Sequence, residues 1–350
     1  MAIAGDDILT LMGAPGSPYT RKMLAVLRYR RIPYRLLIGS HGTEGLPQAR
    51  PSLLPTFYLP GADGALEAVT DSTPLIRRFE AQFPGRSVIP SDPALALIDA
   101  LIEDFADEWL TKAMFHYRWS YADDIARAGM ILPTWHRGPF DDARHAALAE
   151  EISSRQISRL RYVGSTAQTG PVIEASYARF LDAFEDHLRS YRFLLGARPG
   201  AGDFGVFGQL TQLAHFDPTP MALTLARAPR AFGWVMNTED RSGLEPTDAD
   251  WFDPTTLPPT VGAILGEIGR VYAPLLLANA RALQSGASEV SLVIDGATWV
   301  QQPFAYQAKC LGWLRRDHAS LSPAAQARFD SAIVDSGCEA LFAFPSTRIT

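Results

Sequence analysis

The sequence predicts a mixed α/β domain over residues 1–90, an all-α domain over residues 91–245 and a C-terminal extension over residues 246–350. Strand-like and helix-like segments alternate in the first region, whereas apolar residues recur at helical spacing after Pro93. The stretch LEPTDADWFDPTTLPPT, rich in Pro and Asp, then interrupts this pattern and predicts a loop or linker. The length of 350 residues also exceeds that of a usual single domain.

The predicted α/β domain consists of a βαβ unit followed by a ββα unit. DILTLMG predicts a buried strand, and PYTRKMLAVLRYRR predicts a helix with Met23, Val26, Leu27 and Arg30 at helical spacing. PYRLLIG predicts a second strand, and TFYLPGADGALEAVT predicts two strands around a Gly-Ala-Asp-Gly turn. DSTPLIRRFEAQFP predicts a helix that ends near Pro84. This order predicts a sheet covered by helices.

The all-α domain begins with a long amphipathic helix. Its apolar stripe recurs at helical spacing and comprises Ile98, Leu101, Ile102, Phe105 and Trp109. AALAEEISSRQISRLRYVG and EASYARFLDAFEDHLRSYRFLLG predict two more helices, each ending at its final glycine.

The C-terminal extension predicts helices and one hairpin. A helix is expected from about Val261 to Gln284, and a helical pair is expected over Phe304–His318 and Pro323–Phe342. Between them, EVSLVIDGATWVQQ has Asp295-Gly296 between two alternating segments, which is a strong hairpin signal. The extension could add a layer to the helical domain, close over a cleft as a lid, or form a subunit contact.

Charge and composition favour small molecules or proteins as partners. The net charge is −6 and the basic residues are scattered, which argues against a nucleic-acid groove or a cationic membrane face. The N-terminal MAIAGDDILTLMG lacks the features of a signal peptide, and no later stretch offers about 18 uninterrupted apolar residues. We therefore expect a cytoplasmic protein that binds neither nucleic acid nor membrane.

The cysteines and histidines give no metal signal. Cys310 and Cys338 lie far apart and have no neighbouring Cys or His at metal spacing, so we expect buried reduced thiols. No two of the seven histidines lie four residues apart on one predicted helix, so we expect no metal site. GAGDFG matches the dinucleotide-binding pattern but follows a helix-like segment and lies in no βαβ unit, so we interpret it as a structural turn.

The stretch GSPYTRKM places two hydroxyl residues at the start of the first helix. Ser17 suits the N-cap and Pro18 the first helical position, so the stretch can be read simply as a helix start. SPYT also has the outline of the Cys-Pro-Tyr-Cys motif of glutaredoxins, with both sulfurs replaced by the hydroxyls of Ser17 and Thr20. Without a thiolate this version cannot act as a dithiol oxidant. A hydroxyl at a helix N-terminus instead suits the binding of an external thiolate.

The chain resembles the glutathione transferase family from about Ile8 to Gly243, through an ordered series of motifs. SPYTRKM is similar to the active-site turn of the family, RPSLLPTFYL to its cis-proline segment and TDSTPLI to the stretch that binds the γ-glutamyl group. RPGAGDFGVFGQL is similar to the capping segment of the family's helical domain, and PRAFGWVMNTEDRSG also resembles the family. The resemblance implies a thioredoxin-like first domain, an all-α second domain of the glutathione-transferase type, and glutathione as co-substrate.

The resemblance also implies roles for particular residues. Ser17 would bind and activate the glutathione thiolate, with Thr20 and Tyr19 as fallback donors. The other implied glutathione-binding residues are Leu54, Pro55, Asp71, Ser72 and Arg50.

Three positions depart from the family pattern. Leu53 stands where a Lys or Gln commonly holds the glycine carboxylate, which leaves Arg50 or His41 as substitutes. Asp71 is one methylene shorter than the usual Glu. Gly200 stands where a Ser or Thr normally caps the helix that contains Asp203.

A small hydrophobic electrophile is the expected second substrate. Its pocket is expected to involve Tyr19, Trp109, Met114 and Tyr117, although packing alone also explains large apolar and aromatic residues at these positions. The family resemblance further implies a homodimer.

Two other functions stay open. The first is a binding or assembly module that keeps the fold without turnover, which Leu53 and the extension favour. The second is glutathione-dependent reduction of a mixed disulfide, which the missing thiols at positions 17 and 20 disfavour.

Overall fold

The computed structural model describes residues 8–39, 45–136 and 139–343. The chain forms two compact units, each assembled from separate segments. The first unit comprises Met1–Ile89, Tyr117–Ser158 and Asp203–Pro246. The second comprises Pro90–His116, Arg159–Gly202 and Thr247–Thr350.

The first unit contains the predicted α/β arrangement. Its four strands are β1 (Leu9–Gly13), β2 (Tyr34–Ile38), β3 (Thr56–Pro60) and β4 (Leu66–Val69), and its first two helices are α1 (Pro18–Tyr29) and α2 (Ser72–Gln82). The sheet order is β2-β1-β3-β4. β1 and β2 are parallel, and β3 pairs antiparallel with both β1 and β4. The βαβ and ββα units are therefore confirmed.

The buried face of α1 follows the predicted stripe. Met23, Val26 and Leu27 are fully buried. Arg30, the polar member of the stripe, is also buried and forms an ion pair with Glu80 on α2 at 3.1 Å. The apolar residues form the core of the sheet domain, and Glu80 partly offsets the charge that Arg30 places beside them.

The remaining helices follow the sheet domain in sequence. They are α3 (Pro93–Phe105), α4 (Thr111–Ser120), α5 (Ala122–His136), α6 (Asp142–Ile157), α7 (Gly170–His187), α8 (Ala201–Leu213), α9 (Pro218–Arg227), α10 (Pro229–Thr238), α11 (Pro259–Glu267), α12 (Ala273–Ser285), α13 (Ala305–Ala319) and α14 (Pro323–Ala332). A π-helical turn, Ala106–Leu110, joins α3 to α4, and another, Ile268–Tyr272, joins α11 to α12. Apart from the hairpin of the extension, the described chain after residue 90 is therefore mainly helical.

The predicted hairpin is present in the second unit. β5 (Val290–Ile294) pairs antiparallel with β6 (Ala297–Gln301). Asp295 and Gly296 both have positive φ, at 51° and 79°. Two successive residues with positive φ are what a tight two-residue hairpin turn requires, so the Asp-Gly signal is confirmed.

Three predicted helix ends are wrong. The helix predicted to end at Gly164 ends at Ile157. The helix predicted to reach Gly196 ends at His187, whose ring hydrogen-bonds the Phe193 carbonyl at 2.9 Å because the chain turns back there. The helix predicted over Pro323–Phe342 ends at Ala332. Asp335 and Gly337 then adopt positive φ, a conformation that a right-handed helix cannot continue through.

The extension packs against α3 and the π-helical turn that follows it, within the second unit. Trp299 of β6 is fully buried, and its ring centroid lies 5.4 Å from that of Trp109. The Tyr272 hydroxyl donates to Asp104 of α3 at 2.7 Å. Packing is therefore one role of the extension.

Within the described part of the chain, α11, the π-helical turn and α12 form one continuous helical segment, Pro259–Ser285. This segment is long and apolar enough to cross a membrane by length and composition. Its most apolar window has a mean hydropathy of 1.4, but 61% of that window is buried inside the protein. A core helix passes the same test, so this feature is weak support for a membrane span.

Candidate functional site

The turn between β1 and α1 presents the Ser17 hydroxyl. The Ser17 N–H donates to the Ala14 carbonyl at 3.0 Å, which closes a turn containing Pro15 and Gly16. Ser17 has extended backbone, and its Oγ accepts from the Thr20 N–H at 3.2 Å. Ser17 is therefore the N-cap of α1, as predicted, and its side chain lies at the positive end of the helix dipole.

The cis-proline loop lies directly beside this turn. The Leu54-Pro55 peptide bond is cis, as the motif predicts, and Arg50-Pro51 is cis as well. The Ser17 Oγ donates to the Leu54 carbonyl at 3.2 Å. The structure therefore brings Ser17 next to the Leu54-Pro55 bond, 37 positions further along the chain.

The neighbouring hydroxyl of Thr20 has a structural position. Thr20 is 1% exposed, and its Oγ1 accepts from the Ala14 N–H at 3.4 Å. Ser17 and Tyr19 are both partly exposed. Of the two aliphatic hydroxyl residues in the SPYT motif, Ser17 is thus more accessible to a ligand than Thr20.

A buried positive charge lies beside the N-terminus of α2, and the sequence motifs do not predict it. Asp71 is the N-cap, with φ of 86°, and Ser72 is buried. The Lys22 ammonium, which is fully buried, donates to the Ser72 Oγ at 3.1 Å. A carboxylate binding at this helix end would meet the helix dipole with the Lys22 ammonium behind Ser72. Its sequence signal is a lysine on the apolar face of α1.

The loop before the cis-proline offers few charged groups among the described residues. Leu53 is 51% exposed, so an apolar side chain stands in solvent where the family commonly has Lys or Gln. Arg50 is also exposed and lies on the same loop. His41, the other candidate for the glycine carboxylate, lies outside the described residues.

The predicted pocket residues fall in different units. Tyr117 belongs to the first unit, is 3% exposed and stacks on Tyr121 with ring centroids 5.7 Å apart. Trp109 and Met114 belong to the second unit and are both buried. The Trp109 indole donates to the Ser176 hydroxyl at 2.8 Å.

Aromatic and apolar side chains of α5 reach the Ser17 turn. A Cβ atom placed on Gly16 would lie 2.7 Å from both Leu132 and Trp135. The Trp135 ring lies 5.0 Å from that of Phe216, and Trp135 is partly exposed. The sequence motifs miss this contact because it joins residues more than a hundred positions apart.

A separate cluster of titratable groups lies in the second unit, where Glu108 and Lys112 are buried and Asp104 is half-buried. Burial raises the pKa of Asp104 to about 7, partly offset by the hydrogen bond from Tyr272. Glu108 lies four residues after Asp104, and Lys112 lies four residues after Glu108. Burial raises the pKa of Glu108 and lowers the pKa of Lys112. Lys112 donates to the Gln301 amide oxygen at 3.4 Å. This cluster joins the first helix of the unit to the extension.

The remaining cysteines and metal candidates add no chemistry to the site. Cys310 and Cys338 are both buried free thiols, as predicted, and burial raises the pKa of Cys338 to about 12. Over residues 8–39, 45–136 and 139–343, no three His, Cys, Asp or Glu side chains are grouped so that they could hold a metal ion.

Two profiles of known protein families match this chain, one in the predicted α/β domain and one in the predicted all-α domain. A family profile described as glutathione S-transferase, N-terminal domain, matches residues 11–87. A profile described as glutathione S-transferase, C-terminal domain, matches residues 142–235. Among curated proteins, none matches the chain. The two profiles occur in the order that the motifs predict.

Solved structures similar to this chain include several glutathione transferases. One from Methylobacterium radiotolerans, in complex with glutathione sulfonate, is 20% identical, with coverage of 72% of this chain and 98% of its own and a TM-score of 0.40. One from Pseudomonas fluorescens with two bound glutathiones is 13% identical, with coverages of 68% and 95% and a TM-score of 0.43. A beta-etherase from Sphingobium sp. strain SYK-6 is 16% identical, with coverages of 65% and 93% and a TM-score of 0.48.

Proposed function

Since this chain belongs to the glutathione S-transferase family and has its fold, we propose that it is a glutathione transferase in which Ser17 activates the glutathione thiol. The observation that carries the proposal is the partly exposed Ser17 hydroxyl at the N-cap of α1, within hydrogen-bond distance of the cis-proline loop. Both the hydroxyl and the helix dipole favour a negative charge at this position.

The surrounding residues supply a binding site for the rest of the tripeptide. The γ-glutamyl carboxylate would bind at the N-terminus of α2, near Ser72 and the buried Lys22. The cysteinyl backbone would lie along Leu54, and the exposed Arg50 would meet the glycine carboxylate. The sulfur would then lie near the Ser17 hydroxyl, which turns from the neutral Leu54 carbonyl to the anion.

The required stabilisation is within reach of these groups. A free thiol has a pKa of about 8.5, and lowering it by about 2 units requires about 2.7 kcal/mol of preferential binding of the thiolate. A hydrogen bond to a charged group contributes about 1.5–3 kcal/mol, and a helix N-terminus contributes about 0.3–2 kcal/mol. Ser17 and α1 together therefore suffice.

The activated sulfur would attack an electrophilic carbon of a small hydrophobic substrate. A carbon–sulfur bond forms, and the substrate either releases its leaving group with the bonding electrons or takes up a proton. Ether cleavage, dehalogenation and addition all fit this scheme. We further propose that the enzyme is homodimeric, as the family resemblance implies, that it is cytoplasmic, and that it needs no metal.

Ser17→Ala tests the proposed activation. We expect the pKa of bound glutathione, followed by thiolate absorbance, to rise by about 1–2 units, which corresponds to the loss of one charged hydrogen bond. Ser17→Thr keeps a hydroxyl and is expected to restore most of the shift. Ser52→Ala is the matched control, because its hydroxyl is bonded to the Ala49 carbonyl on the same loop. A titration of Ser17→Ala equal to that of the wild type would contradict the role of Ser17.

The exposed Leu53 favours a second candidate function, a binding module that keeps the fold without turnover. Loss of the usual donor to the glycine carboxylate would weaken glutathione binding. Calorimetry distinguishes the two functions: no heat of binding at millimolar glutathione supports the second, and measurable binding with thiolate formation supports the first.

A further inference from the structure

Two buried side chains donate hydrogen bonds to the backbone carbonyls of the turn that precedes Ser17. The Gln212 Nε2 donates to the Pro15 carbonyl at 3.1 Å. The Arg118 Nη1 donates to the Gly16 carbonyl at 3.3 Å. Both side chains come from helices outside the sheet domain, and both belong to the first unit.

The two side chains are also bonded to each other and to a common carboxylate. The Arg118 Nη2 donates to the Gln212 Oε1 at 2.8 Å. The Arg118 Nε and Nη2 donate to the two oxygens of Asp217, each at 2.9 Å. Arg118, Gln212 and Asp217 are 4%, 2% and 0% exposed. Asp217 therefore orients Arg118, and Arg118 orients Gln212.

This arrangement is rigid for physical reasons. A guanidinium that donates in two directions from a buried position has few alternative rotamers. Burial raises the pKa of Asp217, and the neighbouring Arg118 opposes that rise. The Arg118 guanidinium also lies 4.9 Å from the Phe216 ring centroid. With two consecutive carbonyls bonded to this network, the peptide planes on either side of Gly16 are fixed.

We infer that Arg118 and Gln212 are positioning residues for Ser17: they fix the Pro15 and Gly16 carbonyls and thereby the direction of the Ser17 hydroxyl. The inference rests on the proposed function, because the direction of the hydroxyl matters to catalysis only if glutathione binds there. Small displacements of a catalytic group reduce its effect steeply, so this network sets how strongly Ser17 stabilises the thiolate.

Amide hydrogen exchange tests the positioning of the turn without any ligand. The Ser17 N–H closes the turn, so its exchange rate reports on the turn directly. Gln212→Met keeps the volume and removes all three hydrogen bonds of the Gln212 amide, to Pro15, Thr211 and Arg118. Because only one of these bonds holds the turn directly, we expect the Ser17 N–H to exchange about tenfold faster, as for the loss of one hydrogen bond. Arg118→Lys keeps the charge beside Asp217 and is expected to act in the same direction.

The matched control is Arg127→Met. The Arg127 guanidinium donates to the Phe216 carbonyl at 2.9 Å, next to the network but not to the turn. In Arg127→Met, the Ser17 N–H is expected to exchange at the wild-type rate. If Gln212→Met does not fold, Arg118→Lys decides by the same measurement.

The pKa of bound glutathione gives the functional readout. We expect it to rise in Gln212→Met and Arg118→Lys, by about one unit, while glutathione affinity changes less than about threefold. Wild-type exchange at Ser17 in both variants would overturn the inference, as would a wild-type glutathione pKa in both. If the wild-type protein itself does not ionise glutathione, the proposed function fails, and the exchange rates alone decide whether the network holds the turn.

Discussion

Gly16 has no side chain because α5 occupies the space that one would fill. Leu132 and Trp135 each lie 2.7 Å from where its Cβ would be, which is closer than two carbon atoms can approach. The absence of this side chain lets a partly exposed tryptophan lie beside the residue that precedes Ser17.

Gly16→Ala is expected to destabilise the protein by about 1–3 kcal/mol, because one or both neighbours must move. Chemical denaturation measures the change. Gly233→Ala is the control, because a Cβ on Gly233 meets no atom within 4 Å and alanine favours the helix. Equal stabilities of the two variants would contradict the close approach at Gly16.

Asp104 makes the stability of the protein depend on pH. Its folded pKa is raised to about 7, whereas an unfolded aspartate titrates near about 3.9. Between these values the folded state holds a proton that the unfolded state has lost, so its contribution to stability falls as the pH rises from about 4 to about 7.

Asp104→Asn is expected to flatten this decline. Each shifted group contributes at most about 1.4 kcal/mol per pH unit, and asparagine keeps an oxygen that accepts from Tyr272. Urea denaturation at several pH values between about 4 and 8 measures the slope. The exposed Asp123→Asn is the control. An unchanged slope in Asp104→Asn would show that the carboxyl is ionised throughout.

The first turn of α8 is capped by a residue of another helix. The Ala201 and Gly202 N–H groups each donate to an oxygen of Asp99 on α3 at 3.0 Å. A Cβ on Gly200 would lie 2.2 Å from the same carboxylate. This explains the departure from the family pattern at Gly200: a serine there would collide with the cap that Asp99 already provides.

Asp99→Ala is expected to cost about 1–3 kcal/mol of stability, because two buried N–H groups lose their acceptor. Gly200→Ser is expected to destabilise the wild type through the collision. In the Asp99→Ala background, however, the same serine can cap the helix and recover part of the loss. Chemical denaturation of the wild type, the two single variants and the double variant gives the coupling free energy between positions 99 and 200. If the two single changes in the free energy of unfolding simply add up in the double variant, this account is refuted.

Local sequence patterns predict a helix or strand when its own residues contain the signals for its start, its periodicity and its end. The six elements of the sheet domain and the Asp295-Gly296 hairpin follow from periodicity, caps and turn residues. α5 does not, because Pro133 lies inside it and interrupts the usual helix signals. The end of α7 at His187 does not follow from these patterns either, because hydrogen bonds of the His187 ring to Phe193 and to the distant Thr260 accompany it, rather than a glycine.

The same distinction applies to the candidate site. Ser17, the Leu54-Pro55 bond, Asp71 and Ser72 belong to contiguous motifs, so their positions could be predicted. The further residues that the structure adds are Lys22, Arg118, Gln212 and Trp135. Each acts through a partner distant in sequence. Lys22 stands out as a lysine on the apolar face of α1, but a single sequence does not identify the partner of any of the four.

In the molecule as a whole, the extension completes the core of the second unit. Trp299 is fully buried against Trp109, and its indole donates to Gln301 at 3.0 Å. Trp299→Ala is expected to cost about 3–5 kcal/mol, as for other large buried aromatic residues. Val293→Ala on the same hairpin is the control, since Val293 is 66% exposed. A small effect of Trp299→Ala in thermal denaturation would show that the hairpin is peripheral.

The segmented composition of the second unit has a consequence during synthesis. Its segments Pro90–His116 and Arg159–Gly202 leave the ribosome well before Thr247 and the residues that follow it. Until Trp299 emerges, the surface around Trp109 has no native cover. Nascent chains are therefore expected to expose apolar surface to chaperones until translation is nearly finished.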